Sequence, residues 1–489
     1  MYTPPAVPHG AHTSMEARPH AHGRPHLEGR LSSGLAALAV ISVALVPLAV
    51  MPDAIDRFRV LKEALARTSG ILGALGVLAA VMFYGTERLR ELLRRRAIVV
   101  VLAAATIWML ISTATSTNRA YSADSLVTFL TSVLFFVTVW YAAPRIGFVI
   151  CDVLVPLVAF NTAMVTLQEY GRWQPFRVDP ADPPHLGATG LIDNPNVVGS
   201  YMALAAVILV IAAISVRGVR RWLYAFGALC ATGGVLISET RSALIALGAA
   251  LVLIAVGGSA KRAIAAVVAV ALIFGLGVAL HVPVVTRLLA VPDLAEQQGW
   301  EVATSGRVAP LMAGLEMLRD HPVTGVGPGA FKSHYMEYKL GLLDRRAAAL
   351  RGTSGLMFGE VHNDHVQILA ETGVIGYALF LVAIVVLVRA ARGRPEASGG
   401  RGHGPRTPLA GLASATGVRD DERSSRRLGL PPVVPSTADA RARFVRRLAL
   451  PLAGTLLVLA IAQFPIYVPV TRHLLVAFAG LIAGWSESE

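Results

Sequence analysis

The sequence predicts an all-α, polytopic integral membrane protein with about 12 transmembrane helices and one large outer-face loop containing short helices. Three observations carry this. Of the 489 residues, 54% are hydrophobic and only 15% charged, against about 25% charged in an ordinary soluble domain. The mean hydropathy is +0.59, and the apolar residues fall in long runs without the period-2 alternation of a membrane barrel. Basic residues, finally, concentrate in alternate connections between those runs.

The runs lie near 31–51, 69–86, 97–115, 122–142, 146–168, 197–216, 222–238, 241–257, 263–280, 363–388, 448–467 and 471–485. The first is long enough to span and is followed by no small-residue cleavage site, so no cleavable signal peptide is expected. With the N-terminus inside, the cytoplasmic connections read ERLRELLRRR (87–96), PR (144–145), RGVRR (217–221), SAKR (259–262) and an Arg-rich stretch at 389–447. This is the positive-inside pattern. It accounts for the formal net charge of +13 without nucleic acid, which is not expected as a partner. One connection disagrees: residues 53–67 hold several basic side chains yet fall outside.

Ahead of the spans, residues 1–30 are rich in His, Pro and Gly and read as a disordered cytoplasmic tail. Residues 31–280 carry spans one to nine, 281–362 form the large outer loop, and 363–388 the tenth span. A disordered basic cytoplasmic linker follows at 389–447, suited to anionic membrane lipid, and 448–485 hold the last two spans. Cys151 and Cys230 lie inside apolar runs as small core residues. Within the outer loop, VAPLMAGLEMLRD (308–320) has the pattern of a helix lying at the interface.

Three outer-face features stand out. Glu239 and Arg241 occupy the short turn between spans seven and eight, where the orientation rule gives no reason for Arg; snorkelling and anion binding both remain open. Arg307 precedes the interfacial helix, which ends in DHP and runs into GVGPG (325–329). That segment follows a helix and does not lead into one, so it reads as a structural turn and not as a phosphate cradle. The third feature is EVHNDHVQILAETGVIGYALF (360–380), whose Glu360, His362, Asp364 and His365 crowd the mouth of a span. Spacing supplies no third and fourth zinc ligand; a capping or packing role for the polar cluster and acid–base work by a histidine at the membrane edge both remain open. Gly373 and Gly376 admit close approach by another helix.

His362-Asn363, nine residues, then Gly373 to Gly376 resembles the signature of the O-antigen ligase family. Arg241 in RSALIAL, Arg307 in SGR, DHPVTGVGPGAF (320–331) and DNPNVVGSYMAL (193–204) resemble its other marks, in the same order. The similarity runs over roughly residues 190–385. It implies a membrane glycosyltransferase of the bacterial inner membrane, working on the periplasmic face. The donor would be an undecaprenyl-diphosphate-linked glycan. The acceptor would be lipid A core for a ligase, or another lipid-linked glycan for a polymerase. By resemblance His362 is the essential histidine, and Arg241 and Arg307 are the arginines that engage the diphosphate. Asn363, Asp364 and Glu239 are possible supports; neither cofactor nor metal is expected.

The chemistry agrees. Guanidinium forks match phosphate oxygens and stay charged at physiological pH. A neutral imidazole accepts the acceptor hydroxyl's proton, and direct attack on the anomeric carbon inverts it. A small-anion transporter is the alternative class, but no internal repeat and few mid-span charges support it.

Overall fold

In the computed structural model, residues 24–486 are described except 394–436 and parts of 53–55, 172–186, 258–276 and 347–356. The described secondary structure is helical throughout. The order is α1 (Arg24–Leu48), α2 (Val60–Tyr84), α3 (Glu87–Leu93), α4 (Arg96–Ala114), α5 (Arg119–Ile146) and α6 (Val149–Glu169). Then come α7 (Pro195–Ser215), α8 (Val219–Ile237), α9 (Arg241–Val256), α10 (Pro283–Leu289), α11 (Val291–Gln298), α12 (Trp300–Ala303) and α13 (Val308–Asp320). The last four are α14 (Phe331–Arg346), α15 (Asp364–Arg392), α16 (Thr437–Leu459) and α17 (Pro469–Trp485).

Seven of these helices are long and apolar enough to cross a membrane, and α9 and α17 are shorter apolar helices. Fewer segments therefore meet that standard than the sequence predicts. Length limits α9 and α17, and charge near the helix start limits α8 and α16. Helix α8 begins with Arg220 and Arg221, and α16 carries Arg441, Arg443, Arg446 and Arg447 in its first half. The run at 263–280 lies partly outside the described residues, as do most of the expected N-terminal tail and linker. Helix α1 already starts at Arg24, and α16 starts at Thr437, ahead of the expected 448.

At the centre stands α7, packed on α6, α8, α9, α16 and α17. Of its apolar window, 89% is buried inside the protein, against 6% for α15, which rests on α4, α13 and α16 and leaves most of its length to lipid. A second, smaller core lies beyond the bundle end. Ala309, Ala313 and Met317 of α13, Phe331 and Tyr335 of α14, and Val361 and Ala370 meet there. Helix α13 occupies the predicted residues, but its apolar face turns into this core and not onto a bilayer.

The connections sort to two ends. At one, Arg95 donates to the Ser486 carbonyl (2.9 Å), Arg441 to Pro144 (3.1 Å) and Arg447 to Ile214 (3.0 Å), and Arg220 pairs with Asp152 (3.0 Å). At the other end, α5, α7 and α15 all begin with an asparagine whose side chain accepts an N–H of the first turn: Asn118 from Tyr121, Asn194 from Val197 and Asn363 from Val366. Such caps satisfy donors that a helix start leaves without partners.

The basic 53–67 connection lies at this capped end, and its charges are used inside the protein. Arg59 pairs with Glu360 (2.6 Å) and Arg67 with Glu63 (2.9 Å) and Asp124 (2.8 Å). Lys62, only 1% exposed, donates to the carbonyls of Ala49 (2.6 Å) and Leu191 (2.8 Å). These cations answer local carboxylates and carbonyls, so they carry no orientation signal.

Candidate functional site

His362 sits in the turn that opens α15, with φ at +58°, a left-handed conformation that costs a non-glycine residue roughly 1–2 kcal/mol. Its neighbours hold it there. The Val361 N–H donates to Gln367 Oε1 (2.8 Å), and the Asp364 N–H donates to the Ala460 carbonyl (2.9 Å). The imidazole stands edge-on between Phe358 (5.4 Å between centroids) and Phe464 (4.7 Å). Burial, and then the Arg307 charge, push its pKa down to about 4, with Glu360 opposing. The ring is therefore neutral at physiological pH. Its Nδ1 is buried without a hydrogen-bond partner among the described residues.

Arg307 precedes α13 in a sharp turn through Ser305 (φ +59°) and Gly306 (φ +82°). Glu301 sets that turn from both ends. Its carbonyl accepts the Gly306 N–H (2.7 Å), and its carboxylate accepts the Ala309 N–H (3.0 Å) in the first turn of α13. Arg241 is the first residue of α9, after a turn fixed by Thr240, whose hydroxyl donates to the Pro195 carbonyl (2.9 Å).

Electrostatic reach links these side chains in series, Arg241 to Arg307 and Arg307 to His362. Burial and the Arg241 charge lower the Arg307 pKa to about 10, and Arg307 in turn acts on His362. Arg307 remains cationic at neutral pH. Neither Arg241 nor Arg307 has an ion-pair partner among the described residues. Two like charges in electrostatic reach, with no ion pair among the described residues, repel each other in a way that an arriving anion would relieve.

The supporting residues take other places. Glu239, left-handed at φ +52°, pairs with Arg287 of α10. Asn363 caps α15, and its amide also donates to the Ile461 carbonyl (2.8 Å). Fully buried Asp364 accepts the Ile466 N–H (3.0 Å). Both tie the histidine turn to the α16–α17 connection, and the structure gives neither a hydrogen bond to the imidazole. His365 bridges the Leu457 carbonyl (3.0 Å) and the Tyr377 hydroxyl (3.1 Å).

The GVGPG segment is a structural turn. Its glycines all have positive φ, and the Val326 and Gly327 N–H groups donate to the Ala370 (2.9 Å) and Glu371 (3.0 Å) carbonyls. It docks where α15 breaks at Gly373 (φ +68°), and the Val374 N–H donates to the Pro322 carbonyl (2.9 Å). A Cβ on Gly373 would collide with the Val323 carbonyl. The close approach read from Gly373 is thus real, but the visitor is this loop and not a helix. Among the described residues no group of three or more His, Cys, Asp or Glu is placed to hold a metal.

Sequence reasoning missed the 460–468 connection. Gln463 donates to Ser242 (3.0 Å) and Asn196 (3.4 Å), and Phe464 packs on His362. It also missed Arg59, beside Glu360 and Asp193. Burial, then Asp56, lifts the Asp193 carboxyl to about 6. A signal for Arg59 existed, because the 53–67 connection broke the orientation rule.

Residues 226–381 match a family model described as O-Antigen ligase. The matched span takes in Arg241, Arg307, His362 and Gly373 but not Arg59 or the 460–468 connection. A search of curated proteins finds no match.

Proposed function

We propose that the chain, whose residues 226–381 match the O-antigen ligase family model, is a ligase- or polymerase-like membrane glycosyltransferase that moves a glycan from undecaprenyl diphosphate to an acceptor hydroxyl. The single observation that carries this reading is Arg307, in electrostatic reach of both Arg241 and a neutral His362, with neither arginine ion-paired among the described residues.

In this reading the capped end of the bundle faces the periplasm of the inner membrane, and the opposite, arginine-rich end faces the cytoplasm. The donor's tail lies in lipid and its diphosphate between the two guanidinium groups. As the glycosidic bond breaks, negative charge grows on the diphosphate, and preplaced guanidinium groups stabilise it. The acceptor oxygen attacks the anomeric carbon while its proton passes to the His362 imidazole, giving an inverted glycoside, undecaprenyl diphosphate and an imidazolium. The two arginines supply the charge that a metal would otherwise bring. For a ligase the acceptor is lipid A core; for a polymerase of the same fold it is a second lipid-linked glycan.

The low pKa of His362 has a use here. A pKa of about 4 makes the free imidazole a weak base. Because Arg307 contributes to that depression, an incoming diphosphate cancels part of the field and strengthens the base as the donor arrives.

Converting His362 to Ala removes the proton acceptor and should abolish transfer while the protein still inserts and folds. The assay supplies purified donor with lipid A core, and separately with lipid-linked repeats alone, and follows product length. Near-normal transfer by the Ala variant would refute the base assignment.

A further inference from the structure

Nine residues beyond His362, and inside the membrane-length helix, lies Glu371, 1% exposed. Its carboxyl is surrounded by donors. Gln367 Nε2 donates to Oε1 (3.1 Å) and the Tyr467 hydroxyl to Oε2 (2.9 Å), and the backbone amides of Gly329 and Phe331 face the same group. A carboxylate is acceptor-only with room for about four donors, and Phe331 opens α14, where a helix end favours negative charge. Glu371 therefore joins the glycine-rich turn, the first half of α15 and the 460–468 connection at one point.

From that point two arms run to the histidine turn. In the first, Gln367 is held by Glu371 through its amide nitrogen and accepts the Val361 N–H (2.8 Å) through its amide oxygen. Glu371 thus fixes the side-chain orientation that clamps the peptide before His362. In the second, Tyr467 is held through its hydroxyl, and its carbonyl accepts from Arg59 Nη2 (3.0 Å). Arg59 Nη1 pairs with Glu360 (2.6 Å), two residues before His362. Both arms end on residues 360–361. Left-handed backbone at a non-glycine residue persists only where its surroundings over-determine it, and His362 has that conformation.

We propose that Glu371 is a positioning residue for glycan transfer: through Gln367, and through Tyr467 and Arg59, it holds the His362 turn in its left-handed conformation. The proposal rests on His362 being the reacting base, but the clamp itself is physical and is measured without the reaction. Glu371 does not touch substrate. Its loss leaves Arg241 and Arg307 in place and displaces the imidazole. Donor binding is then kept and turnover falls.

The test uses the full chain in lipid nanodiscs with Glu371→Gln, which puts a donor amide where an acceptor is needed, and Tyr467→Phe, which deletes one hydroxyl from the second arm alone. Amide exchange is followed at residues 360–362, with α7 as an internal control, together with kcat and KM for the undecaprenyl-diphosphate glycan. Glu371→Gln should raise exchange at 360–362 and lower kcat by about tenfold or more with KM nearly unchanged, since a displaced catalytic group costs turnover. Tyr467→Phe should show the same pattern, smaller. Unchanged exchange at 360–362 in both variants overturns the proposal, as does a raised KM with kcat intact. Should Glu371→Gln fail to fold, Tyr467→Phe carries the test alone. Transfer surviving in His362→Ala defeats the base reading but not the clamp, and unchanged exchange defeats the clamp but not the base reading.

Discussion

Two sets of cations share the capped end of the bundle. Around the start of α2, Arg59, Lys62 and Arg67 each meet a carboxylate or a carbonyl at 2.6–2.9 Å. Arg241 and Arg307, by contrast, meet no ion-pair partner among the described residues, and the Arg241 charge helps to lower the Arg307 pKa. Compensated charge builds structure, because a buried cation with its counter-ion holds two segments together. Uncompensated charge works against the fold, and a chain that keeps it holds in place the electrostatics of a ligand that arrives later.

The sharpest break of this comparison exchanges the two outcomes. Arg307→Ala should reduce transfer by roughly 100- to 1,000-fold, the scale of a lost oxyanion donor, while leaving thermal stability equal or higher because like-charge repulsion is relieved. Paired kinetics and thermal melting in nanodiscs check both halves. Arg59→Ala should act mainly on stability, with a smaller loss of turnover because it cuts the second arm to the His362 turn. It strands Glu360, whose side chain is 19% exposed, and should lower stability by about 1–3 kcal/mol, below the fully buried case because solvent screens part of the pair.

The smallest effect is on pH. In the folded chain His362 titrates at about 4, whereas unfolded histidine titrates near about 6.5. Between those values the unfolded state binds the proton and the folded state does not. Its contribution to stability is therefore full above about 6.5 and is lost as pH falls toward 4. The acid limb of kcat/KM, which reports free enzyme, should lie near 4, and that of kcat higher, because bound diphosphate offsets Arg307. Coincident limbs would separate the base from the arginine pair.

Much of this was legible in the sequence. Apolar runs located the helices because hydrocarbon leaves backbone groups no other partners, and α13 lies on the residues its pattern marks. Arg241 and His362 stood out as chemistry out of place, an Arg at a turn that orientation rules leave neutral and a His at a span mouth, whereas Arg307 stood out only through its resemblance to a family mark. What stayed hidden depends on contacts distant in the chain. That Asn363 is a cap bonded to Ile461, that Glu360 answers Arg59, and that GVGPG seats against a break at Gly373 are facts of tertiary packing. Local pattern has no access to a partner hundreds of residues away. The basic 53–67 connection shows the point in reverse, since its disagreement with topology was the trace of internal ion pairs.

The central claim is that Arg241 and Arg307 act together on one diphosphate. The most direct measurement is the affinity of nanodisc-held protein for undecaprenyl diphosphate without sugar, comparing wild type with Arg241→Ala, Arg307→Ala and the double variant. Each single change should weaken binding by about tenfold or more, with the double change far from additive because both contact one ligand. Equal affinity in all four proteins would contradict the account.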